Sequence, residues 1–268
     1  MRNSLKKILA VLSVILAFAA CYCYVARPYQ LRRGATDEEV QRPMPGDELN
    51  PQPTFLATRA ITINAPASVI WPWLVQMGFD RAGFYGYDII EGIGSKSGIQ
   101  SAKAILPRFQ HISVGDKVPI SMVATTTMYA IEPYKYLIWS GDANDAAKGG
   151  FTWALYPIDS GHTRLISRIR WTHHWNNLKL MPLNLFTELT DHLAVRKILP
   201  GIKVRAEGGN IPSMAFLSIE FFIYLATAVS FLISIIRLLV QPLTGKSYLR
   251  CMVSGLVWLL IWYSPFSP

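Results

Sequence analysis

The sequence predicts an α+β domain, with an antiparallel β-sheet wrapped on a long terminal helix, between two apolar ends of the chain. Three observations lead to this fold class. Segments of alternating apolar and polar residues, typical of strands, recur between residues 58 and 171. A helix interrupts them after the first strand, and a longer helical pattern follows the last one. Apolar runs at both ends hold much of the 51% hydrophobic content of this 268-residue chain.

The first apolar run, Leu5 to Val25, contains 21 residues and no charge. This length is sufficient to cross a bilayer core about 30 Å thick, so we predict an N-terminal transmembrane anchor over residues 1–26. A cleaved signal peptide is the alternative, because Arg2, Lys6 and Lys7 precede the run. Against cleavage, the run continues past the small residues at which a signal peptidase would cut.

Two further runs, Met214 to Val240 and Leu249 to Tyr263, predict a C-terminal transmembrane hairpin over residues 211–268. The last run is short for a spanning helix. The alternative is therefore a hairpin that packs on a partner or enters one leaflet only. Basic residues flank the apolar runs on both sides, so they do not decide which side of the membrane the soluble part occupies.

The net charge of +9 divides into +5 at the ends and +4 over residues 27–212, which hold 20 Lys/Arg and 16 Asp/Glu. This modest excess, without a basic stripe that contains aromatic residues, argues against a nucleic-acid partner. The basic residues beside the apolar runs indicate membrane lipids as partners instead. All three cysteines lie in the apolar runs, which leaves the soluble part without a thiolate nucleophile.

Residues 27–54 are predicted to form an extended, proline-rich linker to a domain over 55–210. The first strand, Thr58 to Ile63, places Arg59 on the same face as two isoleucines. The remaining predictions before the main run of strands are a helix over Val69 to Met77, an aromatic strand or turn over 84–90, and a short helix over Ser101 to Leu106.

The last predicted strand, Thr163 to Trp171, has two distinct faces. Leu165 and Ile169 belong to the face expected to point inward, whereas Arg164, Arg168 and Arg170 belong to a face expected to meet solvent or lipid headgroups. The other strands and connections are predicted at Lys117 to Ile120, Met122 to Ile131, Tyr136 to Ser140, a polar loop over 141–150, Phe151 to Ile158, and a tight turn at Asp159-Ser160-Gly161.

Leu185 to Glu207 has the pattern of an amphipathic helix, and Pro200 is expected to kink it. The pattern assigns apolar residues to one face and charged residues elsewhere. The apolar set is Leu185, Leu189, Leu193 and Ile202, and the charged set is Glu188, Asp191, Arg196 and Lys203.

No phosphate-binding glycine pattern, nucleophile elbow or zinc-protease motif occurs, and we expect neither a cofactor nor a metal site. Asp88, His173 and His192 are the candidates for acid/base catalysis, because these side chains can exchange protons near neutral pH in a suitable environment. Each also has a structural interpretation. Asp88 suits a loop carboxylate paired with Arg81, His173 a polar strand end, and His192 the flank of a helix.

Large aromatic side chains either fill a core or line a cavity. A single sheet that faces one helix often leaves an apolar pocket, which favours a ligand-binding role for the rings on the facing surfaces. The predicted lining consists of Trp73, Tyr85, Tyr87, Trp153, Trp171 and Leu189.

Several sequence blocks are specific enough to suggest a family: RGATDEEV at 33–40, RPMPGDEL at 42–49, TRAITINAP at 58–66, VIWPWLVQMG at 69–78 and RAGFYGYD at 81–88. Together they resemble bacterial members of the START-like SRPBCC superfamily, the polyketide cyclase/dehydrase and lipid-transport group, over residues 32 to about 208. The resemblance implies a helix-grip fold, in which a curved antiparallel sheet surrounds the C-terminal helix and a hydrophobic cavity. It implies no shared set of catalytic residues. The apolar runs, taken with this bacterial resemblance, predict a multi-pass protein of the bacterial inner membrane.

We therefore predict a membrane-anchored START-like domain that binds a hydrophobic or amphipathic small molecule, such as a lipid or an isoprenoid. The first alternative is a cyclase or dehydratase on the same fold, which requires Asp88, His173 or His192 to point into the cavity. The second is a structural or regulatory membrane protein whose domain is packed solid and binds no ligand.

Overall fold

The computed structural model describes residues 2–141, 149–241 and 244–263 of the chain. Most of the loop predicted over 141–150 lies outside these ranges. The chain divides into two compact units, one formed by Leu31–Leu217 and the other by Met1–Gln30 together with Ser218–Ser267. Each unit has its own apolar core.

The regular elements follow one another in an α+β order. The helices are α1 (Arg2–Cys21), α2 (Arg27–Leu31), α3 (Asp37–Gln41), α4 (Ala67–Gln76), α5 (Asp88–Glu91), α6 (Met181–Ala206), α7 (Met214–Val240) and α8 (Gly245–Tyr263). A π-helical turn (Tyr22–Ala26) joins α1 to α2. The strands are β1 (Phe55–Ile63), β2 (Lys117–Pro119), β3 (Thr125–Glu132), β4 (Tyr136–Ser140), β5 (Gly150–Pro157) and β6 (Thr163–Trp171).

In the terminal unit, two helical segments of the described chain are long and apolar enough to cross a membrane: Ser4–Leu31 and Met214–Val240. A signal sequence near the N-terminus would meet the same criterion as the first segment. Within this unit the ring of Phe18 lies 4.5 Å from the ring of Phe231, and a Cβ on Gly255 would collide with both. Glycine therefore permits a close approach of α8 to the other two helices.

The six strands form one antiparallel sheet in the order β1-β6-β5-β4-β3-β2. The predicted α+β class is confirmed, and the arrangement is consistent with a helix-grip fold. β4 and β6 have their predicted bounds, whereas β1 begins at Phe55, before the predicted Thr58. Pairing of β5 with β6 continues to Pro157 and Thr163, so the predicted tight turn joins two hydrogen-bonded strands.

The main core lies between one face of the sheet and the helices α4 and α6. Leu165 of β6, Leu137 of β4, Leu74 of α4 and Ile202 of α6 are completely buried in it. Because side chains alternate along a strand, the face that carries Leu165, here called the inner face, also carries every second residue of β6. The arginines of β6 belong to the opposite, outer face.

The long helix α6 begins at Met181, four residues before the predicted start, and continues through Pro200 without interruption. Gly201 packs against the backbone of Tyr85, where a Cβ would collide with the Tyr85 carbonyl oxygen. The chain around Tyr85 is itself unusual, because Tyr85 has a φ of 67°, a conformation that side chains disfavour. Gly201 thus allows the aromatic segment, which turns into the short α5, to contact the helix.

The prediction of a helix over Ser101 to Leu106 is wrong. The side chain of Gln76 replaces helical hydrogen bonds there, because it donates to the Ala104 carbonyl (3.3 Å) and accepts from the Leu106 amide (2.9 Å). A turn followed by a 3₁₀ turn at Pro107–Phe109 results. A local helical pattern cannot reveal that a distant amide side chain will take over these backbone groups.

The outer face of the sheet is covered by residues 32–51, here called the strap. The strap includes α3, whose N-terminus has a capping box between Thr36 and Glu39. It also pairs with the edge of the sheet, where the Ala60 amide donates to the Arg33 carbonyl (3.2 Å). The predicted linker is therefore partly helical and bonded to the domain.

The expectation that the arginine face meets solvent or headgroups is wrong. Arg168 is 3% exposed, and its five N–H groups are directed at five acceptors. One acceptor is the hydroxyl of Thr58, which lies opposite in β1. The others belong to the strap: the carbonyls of Glu39, Val40 and Arg42, at 2.7, 3.1 and 2.8 Å, and a carboxylate oxygen of Asp47 at 2.9 Å.

Arg164 and Arg170 hold the two ends of the strap. Arg164 contacts the Glu39 carboxylate at 2.7 Å, and this hydrogen bond holds the pKa of Glu39 below its ordinary value despite partial burial. Arg170 donates to the carbonyls of Asn50 (2.8 Å) and Pro51 (2.9 Å). Three arginines of one strand thus bind a segment that precedes them by more than a hundred residues.

Replacement of Arg168 by methionine should lower the free energy of unfolding by about 3 kcal/mol or more, because it removes the Arg168 partner of the half-buried Asp47 carboxylate and leaves three strap carbonyls without this donor. Chemical unfolding of the full chain in detergent, followed by near-UV circular dichroism, measures this loss. Arg108→Met is the control, since Arg108 is exposed. A change below about 1 kcal/mol for Arg168→Met would contradict the structural role of the strap.

Candidate functional site

Arg59 and Trp153 occupy one row of paired residues on the inner face of the sheet. Ser167 of β6 lies between them, opposite Arg59 of β1 on one side and opposite Trp153 of β5 on the other. Paired side chains on one face have Cβ atoms about 5 Å apart. The small serine therefore leaves space beside it for a guanidinium group and an indole ring.

Arg59 forms a buried ion pair with α6. Its Nη1 lies 2.7 Å from Oδ2 of Asp191, and the two side chains are 3% and 12% exposed. Burial raises the pKa of the Asp191 carboxyl above its ordinary value, and the Arg59 guanidinium opposes this rise. Each charge has lost solvation, so each depends on the other to remain buried.

His173 follows β6 and lies between Phe55 and α6. The His173 and Phe55 rings stack with centroids 4.9 Å apart. Nε2 of His173 lies 3.2 Å from the Thr187 hydroxyl, and Nδ1 lies 3.8 Å from a carboxylate oxygen of Glu188, which is completely buried. The Thr54 hydroxyl bonds both the amide and the carbonyl of His173 and holds its backbone in place.

The first half of α6 turns a polar stripe towards the sheet. Asn184, Glu188 and His192 recur every four residues on one side of the helix, and all are buried. Leu185 and Leu189, predicted to face inward, are only half-buried. The prediction that the charged residues lie away from the buried face is therefore wrong for this half of the helix. The helical repeat predicts both an apolar stripe and a charged stripe on α6. Arg59, the buried cation on β1, decides which of them faces the sheet, because it requires the stripe that carries carboxylates.

These residues form what we call the polar cluster: Arg59, His173, Glu188, Asp191 and His192. A histidine near a carboxylate can transfer protons, and the cluster as a whole can bind a polar group. Two of the three predicted acid/base candidates thus lie in it. Among the residues that the structure describes, no group of three or more His, Cys, Asp or Glu is arranged to hold a metal ion.

Trp139 and Trp153 add hydrogen-bond donors to the same end of the inner face. Their rings are 6.0 Å apart, and the residues are 3% and 2% exposed. Within the described ranges, neither indole N–H has an acceptor. An indole N–H can only donate, and a buried donor without an acceptor costs about 1–3 kcal/mol. These two groups suit a ligand that presents acceptor oxygens.

The other predicted lining residues lie outside the polar cluster. Tyr85 donates its hydroxyl to the Trp73 carbonyl (2.9 Å), and the Arg205 guanidinium lies 4.5 Å from the Tyr85 ring centre. Tyr87 is completely buried, with the Lys197 ammonium 5.8 Å from its ring centre. These rings therefore pack against the second half of α6. Trp171, which packs on Phe151, and Leu189 are half-buried. A ligand-lining role for the set stays a prediction.

Asp88 lies away from the two histidines, in a small open cleft that Glu91 also lines. It accepts a hydrogen bond from the Ser101 hydroxyl (2.6 Å). Arg81, its expected partner, donates instead to the carbonyls of Val75 (2.9 Å) and Phe109 (3.1 Å).

The Glu91 carboxyl lines the same cleft. Its oxygens are buried against Gly86, where a Cβ would collide with them. Burial raises the pKa of Glu91 to about 8, the Asp88 carboxylate contributes to the rise, and backbone N–H groups oppose it. A sequence pattern gives no sign of this, because the burial results from a turn around Gly86.

Arg59 and Glu188 are site residues that were not predicted from the sequence. A signal for Arg59 was present, since its position in β1 places it on the face shared with Ile61 and Ile63. An arginine on an apolar face requires a buried partner. No comparable signal identified Glu188, because its burial depends on how α6 is rotated against the sheet.

The fold and site define an α+β domain in which an antiparallel sheet packs on a long helix with a polar cluster between them. No family model and no curated protein matches the chain. The solved structures similar to it include a protein from Thermobifida fusca, at 9% identity, 56% coverage of this chain, 92% coverage of that chain and a TM-score of 0.38.

Two further solved structures have comparable values. A polyketide-cyclase-like protein from Corynebacterium glutamicum is 14% identical, with 59% of this chain and 97% of that chain covered and a TM-score of 0.33. The Aha1 dimer from Colwellia psychrerythraea is 13% identical, with 56% and 97% covered and a TM-score of 0.32. At these scores the likenesses establish neither a family nor an activity.

Replacement of Asp191 by asparagine should destabilise the domain by about 3–5 kcal/mol, because Arg59 remains buried without its carboxylate. The double variant Arg59→Met/Asp191→Leu should recover at least half of this loss, since neither charge remains. Chemical unfolding in detergent measures both values, and Lys135→Met, which breaks an exposed ion pair with Glu132, is the control. A loss in the double variant that equals or exceeds the loss in Asp191→Asn would show that the two side chains are not coupled.

The unfolding free energy should fall as pH rises from the ordinary Glu91 pKa of 4.5 to the folded value of about 8. Over this window the folded domain retains a proton that the unfolded chain releases, so a rise in pH favours unfolding. Thermal unfolding across this range should show a smaller slope for Glu91→Gln. Glu38→Gln is the control because the Glu38 side chain is 84% exposed. An unchanged slope in Glu91→Gln would contradict the burial of this carboxyl.

Proposed function

We propose that residues 31–217 form a START-like domain of the SRPBCC superfamily that binds an amphipathic, lipid-like molecule between the sheet and α6. The five resembling sequence blocks support the family, and the packing of the antiparallel sheet on a long C-terminal helix agrees with it.

The buried polar cluster, with two indole donors beside it, is the observation that carries the proposal. An entirely apolar ligand would leave the N–H groups of Trp139 and Trp153 without acceptors. We therefore assign the polar end of the ligand to this region. The apolar end belongs towards the core residues Leu155, Leu165 and Ile198, where burial contributes about 25 cal/mol per Å² of apolar surface.

We further propose that the terminal helices attach this domain to a membrane, as a multi-pass protein of the bacterial inner membrane. Ser4–Leu31 and Met214–Val240 support this by length and composition, and the shorter α8 completes the hairpin. Ligands with long apolar parts concentrate in bilayers. Attachment therefore increases the rate at which the domain encounters them.

Acid/base catalysis of the cyclase or dehydratase type is the second candidate function. The position of His173 favours it, because one ring nitrogen lies near the Thr187 hydroxyl and the other near the Glu188 carboxylate. A carboxylate that orients a histidine is a common arrangement for a general base. Asp88 has no role in this catalytic proposal, because it accepts a hydrogen bond from Ser101 in the separate cleft.

Native mass spectrometry of the full chain in detergent, after incubation with a total lipid extract, tests the binding proposal. We expect a bound small molecule on the wild-type protein. Trp153→Phe retains a ring but removes the N–H, and should weaken retention about five- to tenfold, the effect of one hydrogen bond. Trp71→Phe is the matched control, because Trp71 lies on α4 and not on the sheet.

The outcomes separate the candidate functions. A wild-type domain that stays empty across several extracts would exclude the binding proposal and favour a structural role. Loss of water from the bound molecule, detected by mass in the same spectra and absent in His173→Gln, would favour the dehydratase. Equal retention by Trp153→Phe and Trp71→Phe would remove the indole donors from the proposed site.

A further inference from the structure

The outward side of the first half of α6 is apolar. Leu183 and Phe186, one turn apart, are 56% and 62% exposed, and Leu178 in the preceding turn is 77% exposed. On a surface helix this side normally carries charged or polar residues, and the buried side is apolar. Here the buried side carries Asn184 and Glu188. Over its first half, α6 thus has its polar side buried and its apolar side exposed.

Packing within the domain does not account for these outward residues. Single exposed apolar side chains are ordinary, but a group on one side of a helix is typical of an interaction surface. The polar cluster fully explains why the opposite stripe faces the sheet. It gives no reason for leucine and phenylalanine, rather than lysine or glutamate, to face outward.

We propose that Leu178, Leu183 and Phe186, here called the outward stripe, insert into the interface of a lipid bilayer. The chain carries two segments apolar enough to cross a membrane, so a bilayer is the apolar phase available to it. Lys179 is exposed beside the stripe, and residues 27–212 carry a net charge of +4 (20 minus 16), which favours anionic headgroups.

An interfacial helix of this kind places its apolar side about 5–10 Å into the boundary between headgroups and acyl chains. Trp175, partly exposed just before the stripe, belongs to the residue type enriched at that depth. The start of α6 is then the point at which a lipid-like molecule reaches the polar cluster on the other side of the helix. This inference rests on the membrane attachment in the proposed function and not on the identity of the ligand.

Site-specific fluorescence of the full chain in proteoliposomes tests the inference. Cys21, Cys23 and Cys251 are replaced by alanine, and single cysteines at Leu183, Phe186 or Ser160 are labelled with an environment-sensitive probe. The vesicles contain phosphatidylcholine with a minor fraction of phosphatidylglycerol, with or without brominated acyl chains. Ser160, exposed in the turn between β5 and β6, is the control position.

Probes at Leu183 and Phe186 should be quenched by brominated lipid about threefold or more above the probe at Ser160, and should be shielded from aqueous iodide. A Phe186→Glu change should reduce quenching of the Leu183 probe while the chain remains in the vesicles. Phe186→Glu therefore tests insertion of the outward stripe separately from attachment of the chain to the membrane.

Iodide access at Leu183 equal to that at Ser160, in a chain that resists alkaline carbonate extraction, overturns the inference and leaves the proposed function intact. Shielding from iodide without lipid quenching also overturns it, because the stripe then contacts protein, such as a second copy of the chain. Complete extraction by carbonate overturns both the inference and the proposed membrane attachment.

Discussion

The rest of the domain depends on the requirement that the buried guanidinium group of Arg168 be fully bonded. A planar cation with five donors, 3% exposed, is tolerated only where every N–H has an acceptor. Four of the five acceptors come from the strap, so the strap must lie across the outer face of the sheet. With that face covered, the inner face towards α6 is the side on which a ligand site can form.

A second buried cation acts on the inner face in the same way. Arg59 of β1 requires a carboxylate, and Asp191 supplies it. This pairing fixes the rotation of α6, brings Glu188 and His192 inward, and leaves Leu183 and Phe186 outward. The candidate site and the outward stripe are therefore two consequences of one ion pair.

Much of the fold could be predicted from the sequence, but only part of the site could. The alternation of β6 and the helical pattern that became α4 depend on local periodicity, which the chain displays directly. His173 and His192 were identified by residue type alone, and the fold buries both, His173 beside Glu188 and His192 one turn further along α6. Asp88 was identified on the same basis and lies elsewhere. Residue type indicates which side chains can do chemistry, whereas their convergence depends on contacts between distant segments.

The sequence by itself determined that β6 has an arginine face and a leucine face, and that α6 has apolar and charged stripes. It also determined the apolar ends and the order of elements. Only the tertiary structure decided which face is covered and which stripe is buried. The physical reason is that the deciding partners are far apart along the chain. Asp47 and Arg168 are separated by 121 residues, and no local pattern relates a buried charge to a counter-charge at such a distance.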